Sequence, residues 1–275
     1  MKLFAGARLF ISALILAGLG FGLQACSGGG GGTTTPAANA NPIGYYAGTL
    51  SVTSPAQANL TAKAIVDSSE FMIVHINQAT PDNLLYKGTF TAITPTTFTA
   101  DVRIYRNGTF LRTATISNGS ITEKSSMSGT LSGTGDYTST SFSLAYDTTV
   151  NARTPLVSSN GDIWIVPTTT GTGIGLDLDS TILRAFAFDN IIIVHDVLKG
   201  CTLPSLGFIN VNSEQLGRVR KYTANLRSTS SCVNYASDFS LTGYITPFDS
   251  GANDNRYLWI TYNDNNFFAG ELVKQ

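Results

Sequence analysis

From Gly44 to the C-terminus no stretch sustains the 3.6-residue hydrophobic period of an amphipathic helix. Short runs rich in Val, Ile, Thr, Tyr and Phe alternate instead with Gly, Asn, Asp, Ser and Pro. That is strand-and-turn punctuation, and it restricts the chain to an all-β fold with almost no helix. Strands are predicted at Tyr45 to Val52, Leu60 to Val66, Glu70 to Ile76, Leu84 to Ile93 and Thr97 to Tyr105. Thr109 to Ile116, Ile121 to Leu131 and Ser141 to Tyr146 complete a first half. Arg106-Asn107-Gly108 is a hairpin signal, since Asn-Gly accepts the positive φ of a type I′ turn.

The second half follows the same plan. Strands are predicted at Asp162 to Val166, Ile182 to Phe188, Asn190 to Asp196 and Leu206 to Val211. Lys221 to Leu226, Phe239 to Ile245, Tyr257 to Tyr262 and Phe267 to Leu272 follow. Phe188-Asp189-Asn190 reads as a tight turn, and Ile191 to Val194, lacking polar alternation, suits a strand covered on both faces.

Ile73-Val74-His75 recurs as Ile193-Val194-His195, and these tripeptides hold both histidines of the chain. Gly44-Tyr45-Tyr46 faces Gly161-Asp162-Ile163, and Lys87-Gly88 faces Leu206-Gly207. Ser128 to Leu131 faces Thr242 to Ile245, and Ala145-Tyr146 faces Thr261-Tyr262. Matches in one order at similar offsets point to a tandem duplication; the other source of such matches is chance among Gly- and Thr-rich strands. The expectation is two similar antiparallel halves, β-sandwich or barrel-like, at residues 44–154 and 155–275. Whether they form separate bodies or close one larger barrel is open.

Charged residues make up only 13% of the chain, with a formal net charge of −1. Without a basic excess or stripe, nucleic acid is not an expected partner. Arg218-Val219-Arg220-Lys221 is read as a solvated strand face, with contact to lipid headgroups as the other possibility.

The N-terminus carries Lys2 and Arg8, then an uncharged apolar run from Leu9 to Leu23, too short and glycine-rich for a spanning helix. Leu23-Gln24-Ala25-Cys26 closes it and resembles the lipobox of bacterial lipoproteins. That resemblance implies a cleaved signal peptide over residues 1–25 and a lipid-modified Cys26, the link to the membrane. Ser27, in place of Asp, implies the outer membrane of a Gram-negative cell, with the body facing the periplasm or the surface. Residues 26–43, rich in Gly, Thr and Pro, read as a flexible tether.

Beyond Cys26, two cysteines remain. Disulfides persist in an exported compartment, so Cys201 and Cys232 are expected to pair, closing a loop worth roughly 3–4 kcal/mol on the chain-entropy account. A metal-bound or catalytic thiol is the alternative, with His195 the only histidine within ten residues of either cysteine.

Catalytic patterns are sparse. The sequence has no Gly-x-Ser-x-Gly elbow, no His-Glu-x-x-His and no phosphate-binding Gly-rich loop. His75 and His195 end matching strands, which favours a structural role. Asp177 and Asp179 share one strand face, as a calcium site or a glycosidase would require, but alternation with Leu176 and Leu178 describes a solvent face equally. Asp249 to Arg256 resembles a polar turn without the calcium-loop pattern. Tyr257 and Trp259 alternate with Leu258 and Ile260, giving a candidate aromatic binding strip; core packing competes with it.

Gly44 to Leu50, GYYAGTL, resembles the opening strand of lipocalin-type barrels, with Tyr46 in place of that family's tryptophan and its later motifs missing. The mature chain is also similar to uncharacterised two-repeat β lipoproteins of proteobacteria. Neither resemblance brings functional residues. The expected function is a lipid-anchored, non-enzymatic binding or structural module, without cofactor or metal, meeting a protein, glycan or envelope component. A lipocalin-like carrier of a small apolar ligand is the alternative, and a hydrolase the least favoured.

The Cys26→Ser precursor is expected to remain unprocessed and unlabelled in cells fed radioactive palmitate. A mature N-terminus mapping to any residue other than Cys26 overturns the anchor.

Overall fold

The computed structural model describes residues 37–77, 82–152, 164–165, 182–187, 191–195, 206–216, 219–226, 239–248, 256–265 and 267–274; from 164 to 215 and at a few later positions it describes strand pairing alone. The first eight strands are β1 (Gly44–Val52), β2 (Gln57–Val66), β3 (Glu70–His75), β4 (Leu84–Ile93), β5 (Thr97–Arg106), β6 (Thr109–Thr122), β7 (Ser126–Thr130) and β8 (Thr140–Tyr146). Each pairs antiparallel with the next, and β8 returns to β1, closing an up-and-down barrel. A four-residue helix, α1 (Thr148–Asn151), follows, with Asp147 accepting from the Val150 N–H at its N-cap. Asn151 ties it back to β1, accepting from the Tyr45 N–H and donating to the Tyr45 carbonyl.

The remaining strands are β9 (Trp164–Ile165), β10 (Ile182–Ala187), β11 (Ile191–His195), β12 (Leu206–Leu216), β13 (Val219–Leu226), β14 (Phe239–Pro247), β15 (Arg256–Tyr262) and β16 (Phe267–Lys274). They too pair in sequence order, and β16 returns to β9. The chain is therefore all-β and barrel-forming. Ring position revises two of the sequence matches. Ser128 to Leu131 begins in the seventh strand of the first ring, but Thr242 to Ile245 lie in the sixth of the second. Ala145-Tyr146 and Thr261-Tyr262 are likewise one ring position apart.

Alternation fills the first barrel. Tyr46, Leu50, Ala64, Val66, Phe71 and Ile73 point inward from β1 to β3, and Tyr86, Phe98, Val102, Ile116, Phe142 and Leu144 from later strands. Phe71, Phe90, Phe98 and Phe142 form an aromatic cluster with ring centroids 5.3 to 6.3 Å apart. An eight-stranded barrel is just wide enough for side chains to fill. Three of these rings fit because each sits opposite a glycine. Phe71 pairs with Gly88, Phe98 with Gly119, and Phe142 with Gly129. The second ring repeats the device with Tyr222 and Gly243. A Cβ added to Gly88 would lie 2.0 Å from the Phe71 ring, and one on Gly119 2.2 Å from Phe98.

These pairs explain a difference from the sequence reading, which leaves residues 117–120 between two strands. They belong to β6, where the Phe98 ring covers Gly119 from across the sheet. The turn falls later, at Glu123 to Ser125, where Lys124 takes a φ of 52° and the Ser125 N–H donates to the Thr122 carbonyl. The expected Asn107-Gly108 turn is present, with φ of 49° and 87°. The end of the expected tether is held to the barrel: Ala40 is buried, its N–H donates to Thr94, and the Tyr46 hydroxyl donates to the Pro42 carbonyl.

Gly88→Ala is expected to lower stability by about 1–3 kcal/mol through overpacking against Phe71. Gly129→Ala, whose Cβ would stand 3.0 Å from Phe142, should cost less. Urea unfolding midpoints of the two variants check the order.

Candidate functional site

Tyr257 and Trp259, the expected aromatic strip, are 2% and 1% exposed. They share one face of β15, where the Trp259 indole N–H donates to the Tyr222 hydroxyl. The opposite face of β15 is covered as well. Leu258 and Ile260 pack with Val219, Tyr244, Phe267 and Ala269 against residues of the first barrel, among them Ile65, Met72, Val74 and Leu85. No aromatic platform is left at the surface of this strand.

The covered face reveals a cluster that the sequence did not bring together. The β2–β3 turn presents Asp67 and Glu70 outward, toward β13, β14 and β15. Asp67 Oδ1 accepts from the backbone N–H groups of Ser69 and Glu70, at 2.6 and 2.7 Å, which fixes the turn. Asp67 Oδ2 accepts from Lys221 Nζ at 2.8 Å. The Tyr244 hydroxyl lies 2.6 Å from Asp67 Oδ2 and 2.5 Å from Glu70 Oε1, its single proton shared between them. Glu70 also takes Lys87 at 2.8 Å, Lys221 at 3.0 Å and the Tyr262 hydroxyl at 3.0 Å. Lys221 is thus half-buried in an ion-pair network, not the solvated face or lipid contact expected of the basic run.

The electrostatics follow from this geometry. Burial opposes ionisation of Asp67, but the hydrogen bonds from Lys221, Tyr244, Ser69 and Glu70 outweigh it and hold its carboxyl below the usual carboxylate range. Glu70 is likewise held down: burial works against its charge, and Lys87, Tyr244 and Lys221 prevail. Burial disfavours the charged ammonium of Lys221, yet its two carboxylate partners raise its pKa. The Tyr244 and Tyr262 phenols are raised, first by burial and then by the adjacent Glu70 charge. All four carboxylate oxygens of Asp67 and Glu70 are engaged, so the cluster holds no free acid or base. It is a joint between the two rings.

A second joint element lies beside it. Glu271 accepts from Lys63 of the first barrel and, at 2.6 Å, from Arg256. Both cations stand over the Phe248 ring, at 4.3 and 4.9 Å. The backbone adds a third. Phe110 donates to the Asn265 carbonyl at 2.6 Å and Phe267 to the Gly108 carbonyl at 2.9 Å, so the β5–β6 hairpin continues into the β15–β16 hairpin.

His75 sits at the inward-facing end of β3, with Nδ1 2.8 Å from the Thr61 carbonyl. That oxygen only accepts, so Nδ1 carries the proton. The contact is structural, and no group of three or more His, Cys, Asp or Glu suited to a metal occurs among the described residues. His195 occupies the corresponding end of β11 and pairs with Leu206, as His75 pairs with Leu84. Cys26, Cys201, Cys232, Asp177, Asp179 and the 249–255 turn lie outside the described residues. The exposed wall of β6, β7, β8 and β1 carries a depression of about 450 Å³, lined by Ser and Thr hydroxyls and Asn118. Comparison of the chain with family models, curated proteins and solved structures finds no match.

Glu70→Ala strips Tyr244, Tyr262 and Lys87 of their shared acceptor and is expected to cost about 3–5 kcal/mol. Because Asp67 and Glu70 have depressed pKa values in the folded state, their stabilisation is complete at neutral pH. It fades as the pH falls below about 4. Urea titrations from pH 7 to pH 3 should show this loss in the native protein and a smaller one in Glu70→Gln, where the Asp67 contribution remains.

Proposed function

We propose that the protein is a lipid-anchored module of the outer membrane that acts by binding, without catalysis. Cys26 is its link to the bilayer, and the folded body meets an envelope component or an external partner through its outer surface. The observation that carries this reading is the filled first barrel. Its interior is occupied by the Phe71, Phe90, Phe98 and Phe142 rings and the aliphatic side chains around them. Binding therefore falls to the outside. The engaged carboxylates of the joint and the structural contact of His75 support a role without turnover.

The two rings derive, in this reading, from a tandem duplication. Both are eight-stranded meanders with the same neighbour order. The aromatic-over-glycine pair Phe98 and Gly119 falls on the fifth and sixth strands of the first ring, as Tyr222 and Gly243 do in the second. The paired ends His75 with Leu84 and His195 with Leu206 support it as well. A lipocalin-like carrier is the second reading, favoured by the eight-stranded meander and the Gly-Tyr-Tyr opening of β1. The packed first interior weighs against it.

Native mass spectrometry of the lipidated protein extracted from membranes is expected to show the mass of the acylated chain alone. The same preparation should sediment with purified cell-envelope material and leave generic esterase and glycosidase substrates intact. A stoichiometric apolar ligand in the organic extract would favour the carrier, and turnover lost in Asp177→Asn the hydrolase.

A further inference from the structure

The depression on the outer wall is a built surface of unusual uniformity. Strand register lines its hydroxyls into two transverse rows. Ser120 lies opposite Ser128, Ser128 opposite Ser143 and Ser143 opposite Thr49. One step along the strands, Thr130 lies opposite Ser141 and Ser141 opposite Ser51. Neighbouring strands stand roughly 4.8 Å apart and same-face residues about 6.8 Å apart, so the rows form a lattice of hydroxyls.

None of these side-chain hydroxyls has a hydrogen-bond partner among the described residues. Elsewhere on the same barrel, exposed threonines pair with each other. Thr91 and Thr99 stand 2.6 Å apart, and Thr94 and Thr97 2.8 Å. The lattice is therefore a set of unspent donors and acceptors. The floor of the depression is the strand backbone at Gly129 and Phe142, whose ring points the other way, into the barrel core.

The lining contains no Lys, Arg, Asp or Glu. It offers nothing to a phosphate, a polyanion or a divalent cation. Aromatic and Arg anchors, which dominate protein interfaces, are missing from its rim. Among the described residues Leu111 is the one exposed large apolar side chain, and it lies outside the depression. What fits a neutral array of groups that each donate and accept is a molecule that carries the same kind of groups. Its volume falls within the range of small-molecule sites.

We infer that the hydroxyl-lined depression of β6, β7, β8 and β1 binds a neutral glycan chain. This rests on the binding-module reading and gives it a ligand class and a site. The sugar hydroxyls exchange hydrogen bonds with the two rows. The outer residues that meet the second ring, such as Ile65, Met72 and Leu85, lie mainly on β2, β3 and β4, with Tyr45 of β1 and Phe110 of β6 at the edges; the hydroxyl rows are not among them.

The test uses the mature chain, titrated with maltoheptaose, cellohexaose and tetra-N-acetylchitotetraose, and with polygalacturonate as a charged control. Backbone amide resonances of Ser128, Gly129, Thr130 and Ser143 are expected to shift with at least one neutral oligosaccharide and not with polygalacturonate. The arms separate glycans that offer hydroxyls alone from those that add acetamido groups. Ser128→Ala with Ser143→Ala should weaken that binding about tenfold or more while leaving the melting temperature unchanged. Thr91→Ala, on the opposite wall, should leave both unaltered. Shifts that map elsewhere, or binding that survives the double substitution, remove this site but leave the binding-module reading in place. Shifts with the polyanion alone, or with no glycan while the protein still sediments with envelope material, remove the glycan and not the module. A uniform collapse of the spectrum in the double variant is resolved by Ser128→Thr, which keeps a hydroxyl and should restore binding.

Discussion

The structure depends on placing large rings inside a narrow closed sheet. Eight strands enclose little space, and Phe71, Phe98 and Phe142 enter it because Gly88, Gly119 and Gly129 stand directly opposite them. Each glycine gives up a side chain where its neighbour's ring needs the room, and the ring covers backbone that a bare glycine would expose. The outcome is a first barrel whose described interior is occupied by its own side chains. The distribution of polar groups around the outer wall then becomes the informative feature.

That wall is divided. Over β2 to β4 its outward residues are Ile65, Met72, Val74 and Leu85, which would be costly in water and are covered by the second ring. Asp67, Glu70 and Lys87 sit among them. A charge cluster in such a place gains little net stability from attraction, because desolvation works against it. Its value lies in direction. Asp67 is aimed by its own turn, Glu70 collects two tyrosine hydroxyls and two ammonium groups, and only one arrangement of the partners satisfies all of them. On the other side of the wall, the depression over β6 to β8 and β1 is lined by hydroxyls and no charge. The same strand alternation thus produces two outer surfaces of opposite character, one consumed by the fold and one left facing solvent.

Much of this was legible beforehand. The strand segments of both halves follow from period and punctuation, and the Asn107-Gly108 turn follows from its two residues alone. The Asp67–Glu70–Lys221 cluster was not legible: its members are 151 and 154 positions apart in the chain, and each looks like an ordinary surface charge. Residues 117–120 misled for a related reason. Gly119 carries the local signature of a turn, and the ring that keeps it in a strand belongs to Phe98, on another strand.

Tyr257 and Trp259 mark the same limit. Alternation correctly separated them from Leu258 and Ile260, and it carried no information about which of the two faces meets water. Here neither does, since one face joins Tyr222 and the other meets the first barrel. The sequence by itself determined the all-β class, the positions of strands and turns, and the split of each strand into two faces. Those properties depend on neighbours a few residues away. Closure into a ring, the covering of one outer wall and the exposure of another were decided only by tertiary structure. Each depends on which distant strand comes to lie alongside, and burial of a face is a property of the pair.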